Sequence, residues 1–289
     1  MERRDLKKHS TRNVILRMDY IPLIDDIVDK INNAFGEKYI SEEYKFTQFS
    51  ETFINNIDIQ INDINDPTIQ DSNNFLNIKN NSTRIRSYEY TKENKGETYL
   101  KLIFNKYFVA IEILQDTKYC SFEDYKEIFI SAITTIKRII GESLRITRFG
   151  FRKLNDMFIN ADAPINDFVN ILYFNDSCED LIKESTETLI TEKRYTFGFD
   201  KYALNLLTHV SRGNLNDLLV KRLAFDIDLY STEPVFLKNI FDETSEKITE
   251  ADEYIFKVFT NLLNNEFLNF YKEEEEEYDN LILGVMSNE

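Results

Sequence analysis

The chain has 289 residues, of which 42% are hydrophobic and 13% aromatic, and its formal net charge is −16. This composition is typical of a folded protein and argues against a disordered one, and the length suits one large domain or two modest ones. The acidic balance argues against nonspecific binding to nucleic acid, because such binding depends on lysine and arginine releasing counterions from phosphates.

The two ends of the chain are expected to lie outside the folded part. Residues 1–12 read as a flexible basic tail, and residues 272–289 read as an acidic C-terminal tail that contains Glu273 to Glu277. No stretch approaches the roughly 18 uninterrupted apolar residues of a membrane span. Cys120 and Cys178 lie far apart in sequence, so we expect each to be a free thiol, which suits a reducing cytoplasm. Together these features predict a soluble cytoplasmic protein that does not bind membranes.

Residues 13–141 form the first predicted unit of strands and helices. Apolar periodicity, helix-capping residues and turn residues set its elements. In chain order these are a strand at 13–20, a helix at 23–36, a strand at 52–61, a polar loop ending at 81, strands at 83–90, 98–104 and 107–114 with turns at 95–96 and 105–106, and a helix capped by Ser121 with Asp124.

Residues 142–271 form the second predicted unit, which repeats this order with one strand fewer. Its elements are a strand at 144–152, a short helix at 165–172, strands at 194–199, 202–210 and 220–230 with a turn at 212–214, and a helix capped by Thr249 with Asp252. That helix is predicted to bury Ile255, Phe256, Phe259, Leu262, Leu263 and Phe267.

The repeated order predicts an α+β fold. Two β-α-β(3-4)-α units would form one curved antiparallel sheet with the long helices on one face. Such an assembly resembles the TATA-binding-protein-like saddle or the helix-grip shapes, although a shared fold does not transfer function.

Strand alternation places a set of charged side chains on the sheet face opposite the helices. The predicted set is Arg17, Asp19, Glu112, Arg148, Arg152, Asp226 and Asp228. One interpretation is that they form cross-strand ion pairs on a solvated surface. The other is that they line a groove that binds a peptide, a partner strand or a small polar ligand. Gly150, between two arginines, would mark a bulge or the close approach of another backbone.

Patterns that carry catalysis are missing from the sequence. His9 and His209 are the only histidines, so neither a Ser-His-Asp triad nor a histidine-rich metal site is supported. Asp226 and Asp228 have a spacing that could share a divalent metal, but no third acidic ligand is identifiable. Glycine-rich phosphate-binding motifs are also missing. We therefore predict no catalytic residue, no metal and no cofactor.

The segment RFGFRKLN at 148–155 resembles the R-x-G-L-R-Y-x-N strand of a sporadically distributed prokaryotic protein family. Further similar landmarks are YIP at 20–22, the helix start at 125–130 and FDID at 225–228, so the resemblance spans nearly the whole chain. Lys153 stands where the family has tyrosine, and the family's tryptophans are missing. The resemblance implies carriage on mobile or defence-related genomic islands and supplies no activity.

Three functional hypotheses from different classes follow. The first is a non-enzymatic binding or regulatory protein that presents the curved sheet to a protein partner, within a prokaryotic defence or toxin-control module. The second is a small-ligand or nucleotide sensor with a pocket between sheet and helices, in which Arg148 and Arg152 anchor an anion. The third is a metal-dependent hydrolase that uses Asp226 and Asp228.

Overall fold

A computed structural model of the chain describes residues 10–40, 46, 48–61, 76–170, 172–174, 190–215, 217–272 and 282–283. Within these ranges the fold is α+β, as predicted, with one ten-stranded sheet and a layer of helices. None of the helices described is long and apolar enough to cross a lipid bilayer.

Ten strands and six helices are described, and they are numbered in chain order. The strands are β1 (Thr11–Tyr20), β2 (Gln48–Ile61), β3 (Leu76–Asn94), β4 (Glu97–Asn105), β5 (Phe108–Leu114), β6 (Ile146–Asn160), β7 (Ile190–Gly198), β8 (Ala203–Leu215), β9 (Leu218–Ser231) and β10 (Ile282–Leu283). The helices are α1 (Asp25–Tyr39), α2 (Phe122–Ile140), α3 (Ile165–Phe168), α4 (Pro234–Lys238), α5 (Thr244–Leu262) and α6 (Asn265–Lys272).

The strand order across the sheet is β2-β3-β4-β5-β1-β6-β9-β8-β7, and every pairing along this path is antiparallel. The two halves of the chain meet at the central pair of β1 and β6, where Leu16 lies opposite Phe151. Outward from this pair, β5-β4-β3 follow on one side and β9-β8-β7 on the other. The short β10 lies beside β6 in parallel orientation.

One face of the sheet packs against the helices in a single hydrophobic core. Leu16 in β1 and Phe151 in β6 are fully buried there, together with Phe129 of α2 and Ile255 of α5. Alternate residues of the same strands lie outside this core, because successive side chains of a strand point to opposite faces. The opposite side of the central strands is called the open face below.

Helix α2 begins as predicted, whereas α5 does not. The Ser121 hydroxyl accepts a hydrogen bond from the Asp124 backbone N–H at 3.2 Å and donates one to the Asp124 carboxylate at 2.6 Å. Helix α5 begins at Thr244, so Thr249 is internal, and its hydroxyl donates to the Ser245 carbonyl at 2.9 Å. The predicted cap at Thr249 was therefore wrong, and its presumed partner Asp252 has another role, described below.

Strand pairing also corrects two predicted irregular segments. The turn at Lys95-Gly96 is confirmed, and both residues have positive φ. The turn predicted at 212–214 instead belongs to β8, where Gly213 pairs with Val220, and the chain reverses at Asp217 with φ 65°. Residues 76–81, predicted as loop, belong to β3, whose residues 76–79 pair with β2.

Helix α1 continues past Gly36, its predicted end, to Tyr39. Tyr39 is fully buried, with its ring edge-on to Phe35 at 5.1 Å and to Phe46 at 5.4 Å. Burial of an aromatic side chain contributes more than the roughly 1 kcal/mol cost of glycine inside a helix. Tertiary packing therefore overrides the local stop signal.

Candidate functional site

The register of the four central strands brings the seven predicted charged residues together on the open face. Arg17 lies opposite Gly150 and Asp19 opposite Arg148 across the β1–β6 pair. Arg152 lies opposite Asp228 across the β6–β9 pair. Glu112 and Asp226 have the same facing on β5 and β9, respectively. What their side chains contact decides what this face can do.

Arg152 and Asp226 form a two-pronged ion pair. The Arg152 Nε donates to one carboxylate oxygen of Asp226 at 2.7 Å, and an Nη nitrogen donates to the other. The contact is diagonal, because the residue directly opposite Arg152 is Asp228. Two parallel N–H···O bonds fix the orientation of both groups. The Arg152 side chain is 42% exposed, so the pair lies at the surface and is held in one geometry.

Arg148 lies between two carboxylates. Its Nη1 is 3.9 Å from Asp19 and its Nη2 is 3.5 Å from Asp228, while its guanidinium carbon is 5.1 Å from the centre of the Tyr230 ring. A Cβ added to Gly150 would lie 3.2 Å from this guanidinium. Gly150 therefore leaves room for the Arg148 side chain to cross the strand, and the close neighbour expected there is a side chain, not another backbone.

Arg17 and Glu112 are also engaged. The Arg17 Nε lies 2.5 Å from Asp19, and its guanidinium carbon lies 3.9 Å above the Phe108 ring. Such stacking adds cation–π attraction to the ion pair. Glu112 accepts a hydrogen bond from the Asn13 amide at 3.0 Å. Its other oxygen is 3.6 Å from a lysine, Lys101.

A second charge cluster on this face was missed by sequence reasoning. Asp156, with 5% of its side chain exposed, accepts hydrogen bonds from Arg222 at 2.7 to 3.0 Å and from Arg12 at 2.6 Å. Arg12 also bonds Asp116 at 2.7 Å. The register shifts between Thr11 and Asn13, and a bulge of this kind re-aims a side chain. Extending the alternation of β6 from Arg152 to Asp156 would have found the acidic member.

These ion pairs form four neighbouring groups on the open face, with twelve side chains in all, which together we call the charge network. Six of the twelve are cationic and six are anionic, so the network is formally neutral. Its members are Arg12, Arg17, Lys101, Arg148, Arg152, Arg222, Asp19, Glu112, Asp116, Asp156, Asp226 and Asp228. Most of these contacts are the predicted cross-strand pairs, whereas Arg17 and Asp19 lie on the same strand and Asp116 follows β5. Arg148 and Arg152 face carboxylates on the open face and do not line a space between sheet and helices, where the sensor hypothesis placed an anion.

Asp228 is a carboxylate of the network whose pKa is shifted. Burial raises its pKa above the usual range for an aspartate, and Arg148 and the Asn205 side chain oppose this only in part. The long 3.5 Å contact with Arg148 explains why attraction does not offset the loss of solvation. The ionised carboxylate is therefore less favourable in the folded chain than in the unfolded one.

Replacing Asp228 with asparagine removes one member of an ion pair, yet we expect it to raise the free energy of unfolding at neutral pH. A pKa raised on folding gives stability that is present below the unfolded pKa of about 3.9 and is lost as pH rises through the folded value. Asp228→Asn cannot ionise. Its free energy of unfolding should exceed that of the wild type at pH 7, and the gap should close near pH 3. Urea unfolding at both pH values measures this, and a less stable variant at pH 7 would contradict it.

Metal-dependent hydrolysis finds no support in the contacts of Asp226 and Asp228, since each carboxylate faces an arginine. Across the described ranges no group of three histidine, cysteine, aspartate or glutamate side chains is arranged to hold a metal ion. His209 lies in β8, between Glu192 of β7 and Ala224 of β9. His9 falls outside the described residues.

A cleft of about 330 Å³ lies on the helix side of the sheet, at the start of α2. Lysines and carboxylates both line it, among them Lys92, Lys118, Asp124 and Glu127. Cys120, also in its wall, is a buried free thiol, as predicted, and burial raises its pKa to about 11. A thiol that stays protonated at neutral pH is a poor nucleophile. Cys178 falls outside the described residues.

Comparison of the chain with protein-family models, curated proteins and solved structures gave no match. The family resemblance therefore stays a prediction, based on RFGFRKLN at 148–155 and FDID at 225–228. These two segments lie on the neighbouring strands β6 and β9, and their charged residues pair with each other. The charged residues of these two segments therefore belong to one set of ion pairs on the open face.

Proposed function

We propose that this chain is a non-enzymatic binding or regulatory protein that presents the open face of its sheet to a protein partner. The observation that carries the proposal is the charge network, which spans the central strands on the side away from the helical core. Its arginines are held in defined positions by carboxylates and aromatic rings, and most of them are partly exposed to solvent.

Fixed, neutral charge patterns favour a protein as the partner. Exposed ion pairs contribute only about 0 to 1 kcal/mol each to stability, so a network of this size is not required by folding alone. Side chains that are already ordered lose less entropy on binding. A pattern with both signs selects a surface with the complementary pattern, whereas a uniformly charged polymer would need one sign. Arg148, over the Tyr230 ring, supplies with it two residue types enriched in binding hot spots.

We also propose that the sheet derives from a duplicated unit of the TATA-binding-protein-like type. The support is the strand order, in which β5-β4-β3 and β9-β8-β7 extend outward from the central β1–β6 pair. Helices α2 and α5 follow the last strand of each half. A role in a defence or toxin-control module is proposed from the family resemblance, and a cytoplasmic location from the free cysteines predicted in the sequence.

A charge swap tests the docking face. The double variant Arg152→Asp/Asp226→Arg keeps an ion pair in place but inverts the local charge pattern. Its thermal stability should match the wild type, while capture of the partner from cells that naturally carry the chain should fall at least tenfold by quantitative mass spectrometry. The loss follows because like charges then face each other across the interface.

The matched control is Lys201→Glu/Glu250→Lys, which inverts a 2.6 Å ion pair between the β7–β8 connection and α5. This pair has a similar exposure but lies away from the open face, so the control should capture the partner as well as the wild type does. Equal capture by all three proteins, or equal loss in both swapped variants, would overturn the proposal.

A further inference from the structure

Strand β10 is the one parallel addition to the described sheet. Ile282 pairs with Phe158 and Leu283 with Ile159 of β6. The other side of β6 is occupied by β9 as far as Asn160. β10 must therefore lie on the β1 side of β6, beyond the point where β1 ends.

The site that β10 occupies is created by the unequal lengths of β1 and β6. Pairing with β1 stops at Thr11 and Asn155, and the Ser10 carbonyl accepts a last hydrogen bond from the Asp156 N–H at 2.9 Å. Strand β6 continues to Asn160. Its remaining backbone groups on this side need partners, because unpaired edge groups act as a template for another strand.

Two features make β10 easy to displace. It pairs through only two residues, so few backbone hydrogen bonds offset the entropy lost when the segment becomes ordered. It is also parallel, and parallel pairing is slightly less stable per residue than antiparallel pairing. Ile282 and Leu283 themselves are apolar and suit a strand.

The position of β10 links it to the open face. Phe158 has the same facing as Asp156 and lies opposite Arg222, both members of the charge network. Ile159 points the other way and is fully buried in the core. The edge of β6 at these two residues therefore lies between the hydrophobic core and one end of the charge network.

We propose that Ile282–Leu283 is a displaceable strap and that the edge of β6 at Phe158 and Ile159 is a strand-acceptor site. The strap closes the site from within the same chain, and an apolar strand of the protein partner replaces it in parallel register. The inference rests on the proposed function, since it names the part of the partner that is recognised: an extended apolar segment added to a sheet edge.

Peptide binding tests the strap directly. The probe is a synthetic peptide of residues 279–287, DNLILGVMS, and the receptor is the full chain carrying Ile282→Asp/Leu283→Asp. The peptide should bind this variant at least tenfold more tightly than the wild type, whose own strap competes. A control peptide with proline in place of Ile282 should not bind, because proline lacks the N–H that pairing needs.

Hydrogen exchange gives a second, local measurement. Backbone N–H groups of a strand point alternately to its two sides, and that of Asp156 points to the β1 side. The amides of Phe158 and Asn160, which share this direction, should therefore exchange at least tenfold faster in the strap variant, whereas that of Gly150, beside β1, should not change. A chain that lacks residues 273–289 should behave like the strap variant. Equal peptide binding to wild type and variant, or unchanged exchange at Phe158 and Asn160, would overturn the proposal. So would a wild-type dimer that the strap substitutions abolish, because the segment would then pair between two chains.

The two proposals fail in different ways. If the charge-swapped protein loses its partner but the peptide binds wild type and strap variant equally, the open face is functional and the strap is not. If the peptide binds as expected while the swapped protein retains its partner, the strand-acceptor site is real and the open face is only solvated. In that second case the strap would have no connection with the proposed function of the open face.

Discussion

Replacing Lys153 with methionine is expected to lower the free energy of unfolding by about 3 to 5 kcal/mol, the range for breaking a buried ion pair by removal of one partner. The Lys153 Nζ, from β6, lies 2.5 Å from the carboxylate of Asp252 in α5. Only 12% and 3% of the two side chains are exposed. Methionine has a similar shape but no charge, so the Asp252 carboxylate stays buried without this cation. Urea unfolding measures the loss.

A double variant separates the charge from the packing. Lys153→Met/Asp252→Leu removes both charges and keeps apolar side chains between β6 and α5. Because well-packed apolar residues replace a buried ion pair at little or no cost, this variant should recover most of the lost stability. A single variant within about 1 kcal/mol of the wild type would contradict the expectation, as would a double variant no more stable than the single one.

The wrong cap at Thr249 shows the limit of a local pattern. Thr249 followed by Asp252 has the spacing of a short capping box, and nothing in the local sequence distinguishes it from Ser121 followed by Asp124. Helix α5 begins earlier, at Thr244, and its first turns include Ile248, which is fully buried in the core. Packing against the core therefore extends the helix past the local cap signal, and the Asp252 side chain bonds Lys153 of a distant strand.

Alternation predicted the open face better than it predicted the strand ends. Placing Arg148, Arg152, Asp226 and Asp228 on one side required only the period of a strand, which the structure follows throughout β6 and β9. The partners of these residues needed the order β1-β6-β9, which no local pattern supplies. Arg12 was missed because residues 1–12 were predicted as a flexible tail, which was wrong for its last residues: β1 begins at Thr11, and a bulge directs Arg12 to this face.

β10 escaped for a different reason. Residues 272–289 were predicted as an acidic tail, and two strand residues carry too little periodicity to be recognised within it. β10 can pair there only because β6 extends beyond the end of β1. Predicting it would require the relative lengths of these two distant strands, which the segment itself does not encode.

Adjacent residues of the RFGFRK segment at 148–153 lie on opposite faces of one strand, so substitutions there can affect stability and binding separately. Phe151 is fully buried, and its ring lies edge-on to that of Tyr125 in α2 at 6.4 Å. Its neighbour Arg152 points to the open face. Substitutions at adjacent positions should therefore have opposite consequences.

Phe151→Ala should cost about 3 to 5 kcal/mol of unfolding free energy, through lost burial and the cavity that remains. Phe151→Leu, which keeps most of the volume, should cost clearly less. Arg152→Ala should cost only about 1 kcal/mol, because its ion pair is partly solvated, and yet reduce partner capture as strongly as the charge swap does. Denaturant unfolding and quantitative capture on the same three proteins check this. If Arg152→Ala destabilised the chain as much as Phe151→Ala and left capture intact, the charge network would serve the fold, and binding would have to lie elsewhere.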